Sequence, residues 1–371
     1  MRPLVLVTGG AGFIGSHVAD ELLVSGYEVR ALDILAEQVH GAGVSRPGHL
    51  HPDVELVLGD IADRDIVRRS LAGVDAVLHL AAAVGVGQSM YEIEHYTRVN
   101  NLGTAVLLQA LIDRPVRRLV VASSMSIYGE GLYHRSDGAA VSNASRSLAQ
   151  LREGVWEPRD SQGEPLTPAP TPESKQPSLE SLYALSKYDQ ERMCLILGRA
   201  YGIPTLALRL FNVYGPRQAL SNPYTGVLAI FASRLLSGKA PFVFEDGRQR
   251  RDFVHVKDVA RAFRLALESE AADDVFNVGS GRDCTVGGIA GRLAGVMGKP
   301  ELRAEVTGKF RIGDIRHCFA DISRAREALG YEPEVEFDAG LAQLADWLSV
   351  QTAVDRAEQA SAELTERGLT A

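Results

Sequence analysis

Residues 4–25 constrain the fold of this chain more than any other stretch. An apolar run, Leu4-Val5-Leu6-Val7, leads into Thr8-Gly9-Gly10-Ala11-Gly12-Phe13-Ile14-Gly15 and then an amphipathic segment, Ser16 to Ser25, so a buried strand turns sharply into a helix. A helix N-terminus offers unpaired N–H groups and the positive end of its dipole. Glycines at 9, 12 and 15 clear side chains from that end, allow the tight turn and let the helix pack on the strand. In this setting Gly10-x-Gly12-x-x-Gly15 predicts a cradle for a dinucleotide diphosphate, with Gly9, Gly12, Phe13, Ile14 and Gly15 as its contacts.

The following segments extend the same plan. Glu28 to Asp33 reads as a short strand ending in a carboxylate at the interval expected for ribose recognition. Asp33 is placed to accept hydrogen bonds from an adenosine ribose and to repel a 2'-phosphate; Ile34-Leu35 supply no arginine, so NAD is favoured over NADP. Val54 to Asp60 reads as the next strand, which puts Asp60 and Ile61 at the adenine edge. Ala76 to Ala83 is a buried strand whose small end, Leu80-Ala81-Ala82, lets a cofactor lie across it. His79 has nothing acidic or metal-binding spaced near it and reads as a hydrogen-bonded core residue. A long helix, Glu94 to Ile112, carries Asn100, and Arg118 to Ser124 is another strand. This alternation predicts an α/β fold, a Rossmann-type doubly wound parallel sheet, with ligands at the strand ends where Gly9, Asp33, Ala81 and Ser124 fall.

Residues 130–178 break the alternation. Rich in Ser, Pro, Gly and charge, they read as a long insertion, either a candidate lid or a disordered excursion. Regular patterns resume with a helix around Ser181 to Tyr201 and a strand from Pro204 to Leu210. The expected division is a dinucleotide domain over 1–211, to which 252–280 returns; a smaller α/β C-terminal substrate lobe from 212–251 and 281–349; and a charged helical tail over 350–371. A net charge of -8 speaks against nucleic acid or an anionic membrane as the main partner. No apolar run approaches a membrane span and residues 1–15 lack a secretory signal's apolar core, so a cytoplasmic protein is expected. Cys194, Cys284 and Cys318 form no CxxC pair; buried free thiols, and no metal site, are expected.

Tyr183 and Lys187 stand four apart, on one face of a helix. A lysine cation beside an oxidised nicotinamide stabilises phenolate and brings the tyrosine toward the range where it removes an alcohol proton. With Ser124 at a strand end, the three form a candidate catalytic set for redox chemistry at a hydroxyl-bearing carbon.

Taken together, Thr8 to Gly15, Asp60, Leu80-Ala81-Ala82, Asn100 with Gly103-Thr104, Ser123-Ser124-Met125-Ser126-Ile127-Tyr128-Gly129 and Tyr183-x-x-x-Lys187 resemble the extended short-chain dehydrogenase/reductase superfamily. The similarity covers about residues 4 to 345 and is greatest to the NAD-dependent nucleotide-sugar epimerases and dehydratases, in particular dTDP-L-rhamnose 4-epimerase and UDP-glucose 4-epimerase-like members. The resemblance implies that Leu80, Ala81, Ala82, Asn100, Tyr183 and Lys187 contact NAD. It also implies that Ser124, Ser126, Asn212, Arg217, Arg251, Arg311 and Asp314 contact a nucleotide-diphosphate sugar, with the guanidinium groups gripping phosphate oxygens. A homodimer through the helices near Glu94 to Ile112 and Ser181 to Tyr201 is implied too. Sugar 4,6-dehydratases of the family show Thr-Asp-Glu where this chain has Ser124-Met125-Ser126. Dehydration needs an acid and a base there, whereas C4 epimerisation through a 4-keto sugar does not. The expected activity is therefore a UDP- or dTDP-hexose 4-epimerase with tightly held NAD; the alternatives are a 4-ketoreductase or dehydrogenase exchanging NAD(H), and a 4,6-dehydratase.

Overall fold

In the computed structural model, residues 2–220, 226–311, 313–351 and 357–370 are described. Its first strands are β1 (Leu4–Thr8), β2 (Glu28–Asp33), β3 (Glu55–Leu58), β4 (Ala76–His79) and β5 (Arg118–Ser124), joined by the strands Thr205–Leu210 and Asp274–Val278. They form one seven-stranded parallel sheet in the order β3, β2, β1, β4, β5, Thr205–Leu210, Asp274–Val278. The order reverses between β1 and β4, and that crevice is where a doubly wound sheet receives its ligand. Alternate residues serve the two faces. Val5, Val7, Leu78 and Val120 pack on one side, with helix α1 (Phe13–Val24) and the helix Val256–Glu268. Leu6, Val77, Leu119 and Val121 pack on the other, against the helices Gly103–Asp113 and Leu182–Tyr201. Both faces are covered, which is why the central strands β1 and β4 are near-continuous apolar runs.

The chain returns to the large sheet from Val256 onward. The preceding strand Arg250–His255 belongs instead to a smaller sheet with Asn212–Tyr214, Asp283–Thr285 and His317–Cys318. Around it the helices Val227–Leu236, Val286–Val296 and Phe337–Leu348 enclose a separate core that includes Phe231, Phe253, Leu293 and Leu344.

The insertion over 130–178 is folded. Ala140–Val141, Leu132–His134 and Thr167–Ala169 make a three-stranded antiparallel sheet, and the short helix Leu148–Arg152 is capped by Ser147. Its scarcity of apolar residues is offset by buried ion pairs. Arg316, fully buried, binds Glu157 at 2.6 Å, Glu245 at 2.9 Å and Asp246 at 2.6 Å, while Arg146 binds Glu130 at 3.2 Å and Glu245 at 2.7 Å. Charges that deep are tolerable only when paired in this way, and the pairing fastens the insertion to the second lobe.

The end of the chain is also docked. In the helix Ala357–Glu366, Leu364 is buried beside Gly87, and Arg367 lies 4.1 Å over the Tyr91 ring. Cys194 and Cys318 are buried free thiols, whereas Cys284 is half-buried. Among the described residues no helix is long and apolar enough to cross a membrane.

Candidate active site

The dinucleotide turn is shaped by contacts that only glycine permits. Gly9 has φ +69°, and a Cβ there would stand 3.0 Å from the Ala81 nitrogen. A Cβ on Gly15 would fall 2.2 Å from the Gly9 carbonyl oxygen, so this residue sets how closely helix packs on turn. Gly12 differs, since its Cβ would meet only the Gly9 oxygen at 3.3 Å. It is the N-cap of α1 and offers no side chain to the first-turn N–H groups, which start at Phe13 and Ile14. An open glycine face and an uncapped helix dipole are what a diphosphate requires, so these residues fit NAD.

Asp33 ends β2 beside this turn. Its carboxylate accepts from the Ala11 and Leu35 backbone N–H groups at 3.0 and 2.9 Å, so it braces the turn. Asp60 accepts from Arg98 at 2.8 Å and from the Ala62 N–H at 2.8 Å, and Ile61 packs against the helix at Gly103. Leu80, Ala81 and Ala82 follow β4. Asn100 fixes this segment from across the crevice: it accepts from the Ala83 N–H at 2.7 Å and donates to the Ala83 carbonyl at 3.1 Å and Ser186 Oγ at 2.9 Å. The expected single helix from Glu94 is wound as a π-helix over Thr97–Leu102, in which Asn100 is fully buried; such wide turns recur at functional sites.

Ser124 and Tyr183 meet, with Lys187 one helical turn beyond Tyr183. Ser124 closes β5, and its hydroxyl accepts from the Ser126 N–H at 3.2 Å and lies 3.1 Å from Ser126 Oγ. Ser181 caps the helix Leu182–Tyr201 through the Ala184 N–H, which puts Tyr183 in the first turn and Lys187 one turn on. Burial raises the Tyr183 phenol above its ordinary pKa, and a hydrogen bond with Ser124 opposes that shift. The expected lowering by Lys187 is not found in the protein alone. Burial pushes the Lys187 ammonium down to about 8, and its hydrogen bond goes to Gln190 Oε1 at 2.6 Å. His79 is a buried core residue, held neutral by burial that lowers it to about 3.

The sugar-nucleotide candidates fall in two groups. Arg251 donates to the carbonyls of Arg250 and Arg316, each at 3.0 Å, and of Ile315, and lies 3.9 Å from Asp314. Arg311 stacks 4.3 Å over Phe244, and its Nε is buried without a partner, as is Asn212 Oδ1. Gly313 lies beside the Glu180 carbonyl, just ahead of the helix that carries Tyr183. Arg217 stands apart. With φ +70° it pairs with Asp20 of α1 at 2.8 Å and reaches Ser16 Oγ at 3.3 Å. A cavity of about 1340 Å³ opens beside the crevice, lined by His40, His49, Gln88, Tyr91, Arg217 and the C-terminal helix at Glu363 among others; none of the catalytic trio lines it. His40 is 3.9 Å from Asp33, so the cavity adjoins the adenosine end.

Sequence reasoning did not single out Gln190, Ser186 or Glu191. The i,i+3 spacing of Lys187 and Gln190 was the available sign for the first.

The fold, the glycine cradle and the Ser-Tyr-Lys set define an NAD-dependent enzyme. The chain belongs to the NAD dependent epimerase/dehydratase family, whose profile matches residues 5–149 and 158–279. It is 36% identical over 351 residues to the dTDP-L-rhamnose 4-epimerase of Burkholderia thailandensis, covering 93% of this chain and 94% of that protein. It is 29% identical to a dTDP-glucose 4,6-dehydratase of Actinoplanes sp., over 92% of this chain and 97% of that one. The crystal structure of UDP-glucose 4-epimerase from Thermotoga maritima with UDP-glucose superposes with a TM-score of 0.75 at 32% identity, covering 93% and 98% of the two chains. UDP-glucuronic acid 4-epimerase from Bacillus cereus, in complex with UDP-glucuronic acid and NAD, gives 0.75 at 27% identity, covering 93% and 99%.

Proposed function

We propose that this enzyme is a nucleotide-sugar 4-epimerase acting on a UDP- or dTDP-hexose and retaining its NAD between turnovers. The observation that carries the reading is the chemistry after Ser124: Met125 and Ser126 carry no carboxylate, Met125 is buried, and Ser126 is engaged with Ser124. Water elimination needs an acid and a base beside the reacting carbons; proton transfer at the C4 hydroxyl needs the tyrosine alone.

Gly9, Gly12, Phe13, Ile14, Gly15 and Asp33 would hold NAD, which when bound supplies the hydride acceptor and donor at C4. Tyr183 Oη takes the proton of the C4 hydroxyl while Ser124 Oγ holds that oxygen, leaving a 4-keto sugar. Lys187 keeps positive charge beside the phenolate. After the keto sugar presents its other face, Tyr183 returns the proton to the C4 oxygen, now inverted. Arg311 Nε, buried and unpartnered, is a donor left for a phosphate oxygen of the nucleotide sugar, and Asn212 Oδ1, likewise unpartnered, is an acceptor left for one of its hydroxyl or N–H groups; Arg217, Arg251, Asp314 and Ser126 complete the proposed contacts. Leu102, Leu185 and Ile196, exposed on the helical stretches 97–113 and 182–201, support a homodimer through those helices. Incubating the purified chain with a panel of UDP- and dTDP-hexoses without added cofactor, and following C4 configuration by NMR, tests the reading; net NADH formation would favour a dehydrogenase instead.

A further inference from the structure

A buried hydrogen-bonded chain runs from β1 to the catalytic helix, and each of its bonds has one consistent direction. Thr104 Oγ1 donates to the Asn100 carbonyl at 2.6 Å, so its remaining capacity is as an acceptor. His79 Nε2, 2.9 Å away, must therefore carry the proton, and His79 Nδ1 accepts from Thr8 Oγ1 at 2.7 Å. Thr8 Oγ1 in turn accepts from the Leu80 and Ala81 N–H groups at 3.2 and 3.1 Å. Gln190 Nε2 donates to Thr104 Oγ1 at 2.8 Å and the Ala81 carbonyl at 3.3 Å, and lies 3.3 Å from His79 Nε2, whose own proton goes to Thr104. Rotating that amide would bring its oxygen against a hydroxyl with no proton left to give and its NH2 against an ammonium. Gln190 Oε1 is thereby locked toward Lys187 Nζ, 2.6 Å away and its one hydrogen-bond acceptor among the described residues.

We propose that Gln190 is the positioning residue of the catalytic lysine: its locked amide oxygen holds the Lys187 ammonium in register with Tyr183 and the strand ends that carry the dinucleotide turn. The role in turnover rests on the epimerase reading, whereas the hold on Lys187 does not. Among the described residues no carboxylate is bonded to Lys187. Glu191, next along the helix, is committed to Arg209 and Ser123, and the other titratable neighbours that act on Lys187 are Cys194 on the same helix and neutral His79 from β4. A neutral acceptor secures the cation while leaving two of its N–H groups and its full charge for the reaction centre. A carboxylate at 190 would secure it too tightly, and an apolar side chain would release it.

The test reads Lys187 directly. The full-length chain, purified with NAD, is grown with 13C-labelled lysine, and the Lys187 resonance, assigned by its loss in Lys187→Arg, is titrated against pH. Gln190→Glu should move the midpoint up by about one pH unit or more, as an adjacent opposite charge does. Gln190→Leu should move it down. In turnover, Gln190→Leu should lower kcat about tenfold or more with KM nearly unchanged, the signature of lost positioning rather than lost binding. The alkaline limb of kcat should move in the same direction as the midpoint in each variant. Gln190→Leu strips Thr104 and Ala81 of a partner, and if it does not fold, Gln190→Glu decides alone. An unmoved Lys187 midpoint in Gln190→Glu overturns the proposal, whatever the activity. A shifted midpoint in a protein that turns over no nucleotide sugar upholds the hold on Lys187 and removes the epimerase reading.

Discussion

Glu191 and Arg209 form a bidentate pair, 2.7 and 2.9 Å, sealed between the catalytic helix and the sheet, with their side chains 0% and 6% exposed. Arg209 also donates to Tyr128 Oη at 2.9 Å, and Tyr128 donates to Asn277 Oδ1 at 2.7 Å, so one cluster ties together the ends of β5, Thr205–Leu210 and Asp274–Val278. Replacing Arg209 by Met leaves a buried unpaired carboxylate and should cost about 3–5 kcal/mol. The double replacement of Arg209 and Glu191 by Met should cost much less than the sum of the single changes. Urea denaturation of the four proteins measures the coupling, and additive costs would show the pair to be incidental.

Gly12 and Gly15 should separate binding from folding. Gly15→Ala forces a Cβ to 2.2 Å from a backbone oxygen, so the turn must shift and stability should fall by about 1–3 kcal/mol. Gly12→Ala brings its Cβ to 3.3 Å from the same oxygen, a tight contact that a shift of a few tenths of an ångström relieves, so it should cost less stability than Gly15→Ala while losing NAD affinity about tenfold or more. Calorimetric titration with NAD beside thermal melts checks both. Equal effects of the two changes would be unexpected.

Acid should loosen the insertion. Burial of Glu157 opposes its ionisation, but hydrogen bonds from His317 and Arg316 outweigh this and hold its carboxyl down to about 2. A depressed carboxyl contributes stability above its unfolded value of 4.5 that is lost as pH falls from there toward 2. With the side chain 38% exposed, solvent screening leaves about 1–2 kcal/mol. Trp156, packed 6.3 Å from Phe310, reports the change by fluorescence. Glu157→Gln should be less stable than the parent at neutral pH and show a smaller stability loss across that window.

What the sequence revealed and what it hid divide along one physical line. The glycine cradle, Asp33, the strand ends and the Tyr183-Lys187 spacing were legible because each is written in a few consecutive residues whose backbone or helical face has a single use. His79 could be read as a core residue because it sat in an apolar run. The chain Thr8, His79, Thr104 and Gln190 was not legible, since its members lie on four elements far apart in sequence and acquire direction only from each other. The insertion looked poor in core-forming residues because its charges Arg146 and Glu157 find their partners far along the chain, at Glu245 and Arg316. Nothing local marks the π-helical turn at Thr97–Leu102. Arg217 was grouped with Arg251 and Arg311 by resemblance; its ion pair with Asp20 of α1 was not legible.

The most direct measurement follows C4 of the sugar. Purified protein is incubated with UDP- and dTDP-hexoses, with no NAD added, and the products are resolved by NMR alongside Tyr183→Phe. Inversion at C4 without net NADH is expected for the unaltered chain, falling at least about 100-fold in Tyr183→Phe while nucleotide-sugar binding persists. Unchanged turnover in Tyr183→Phe, or products of water elimination in place of inversion, would contradict the assignment.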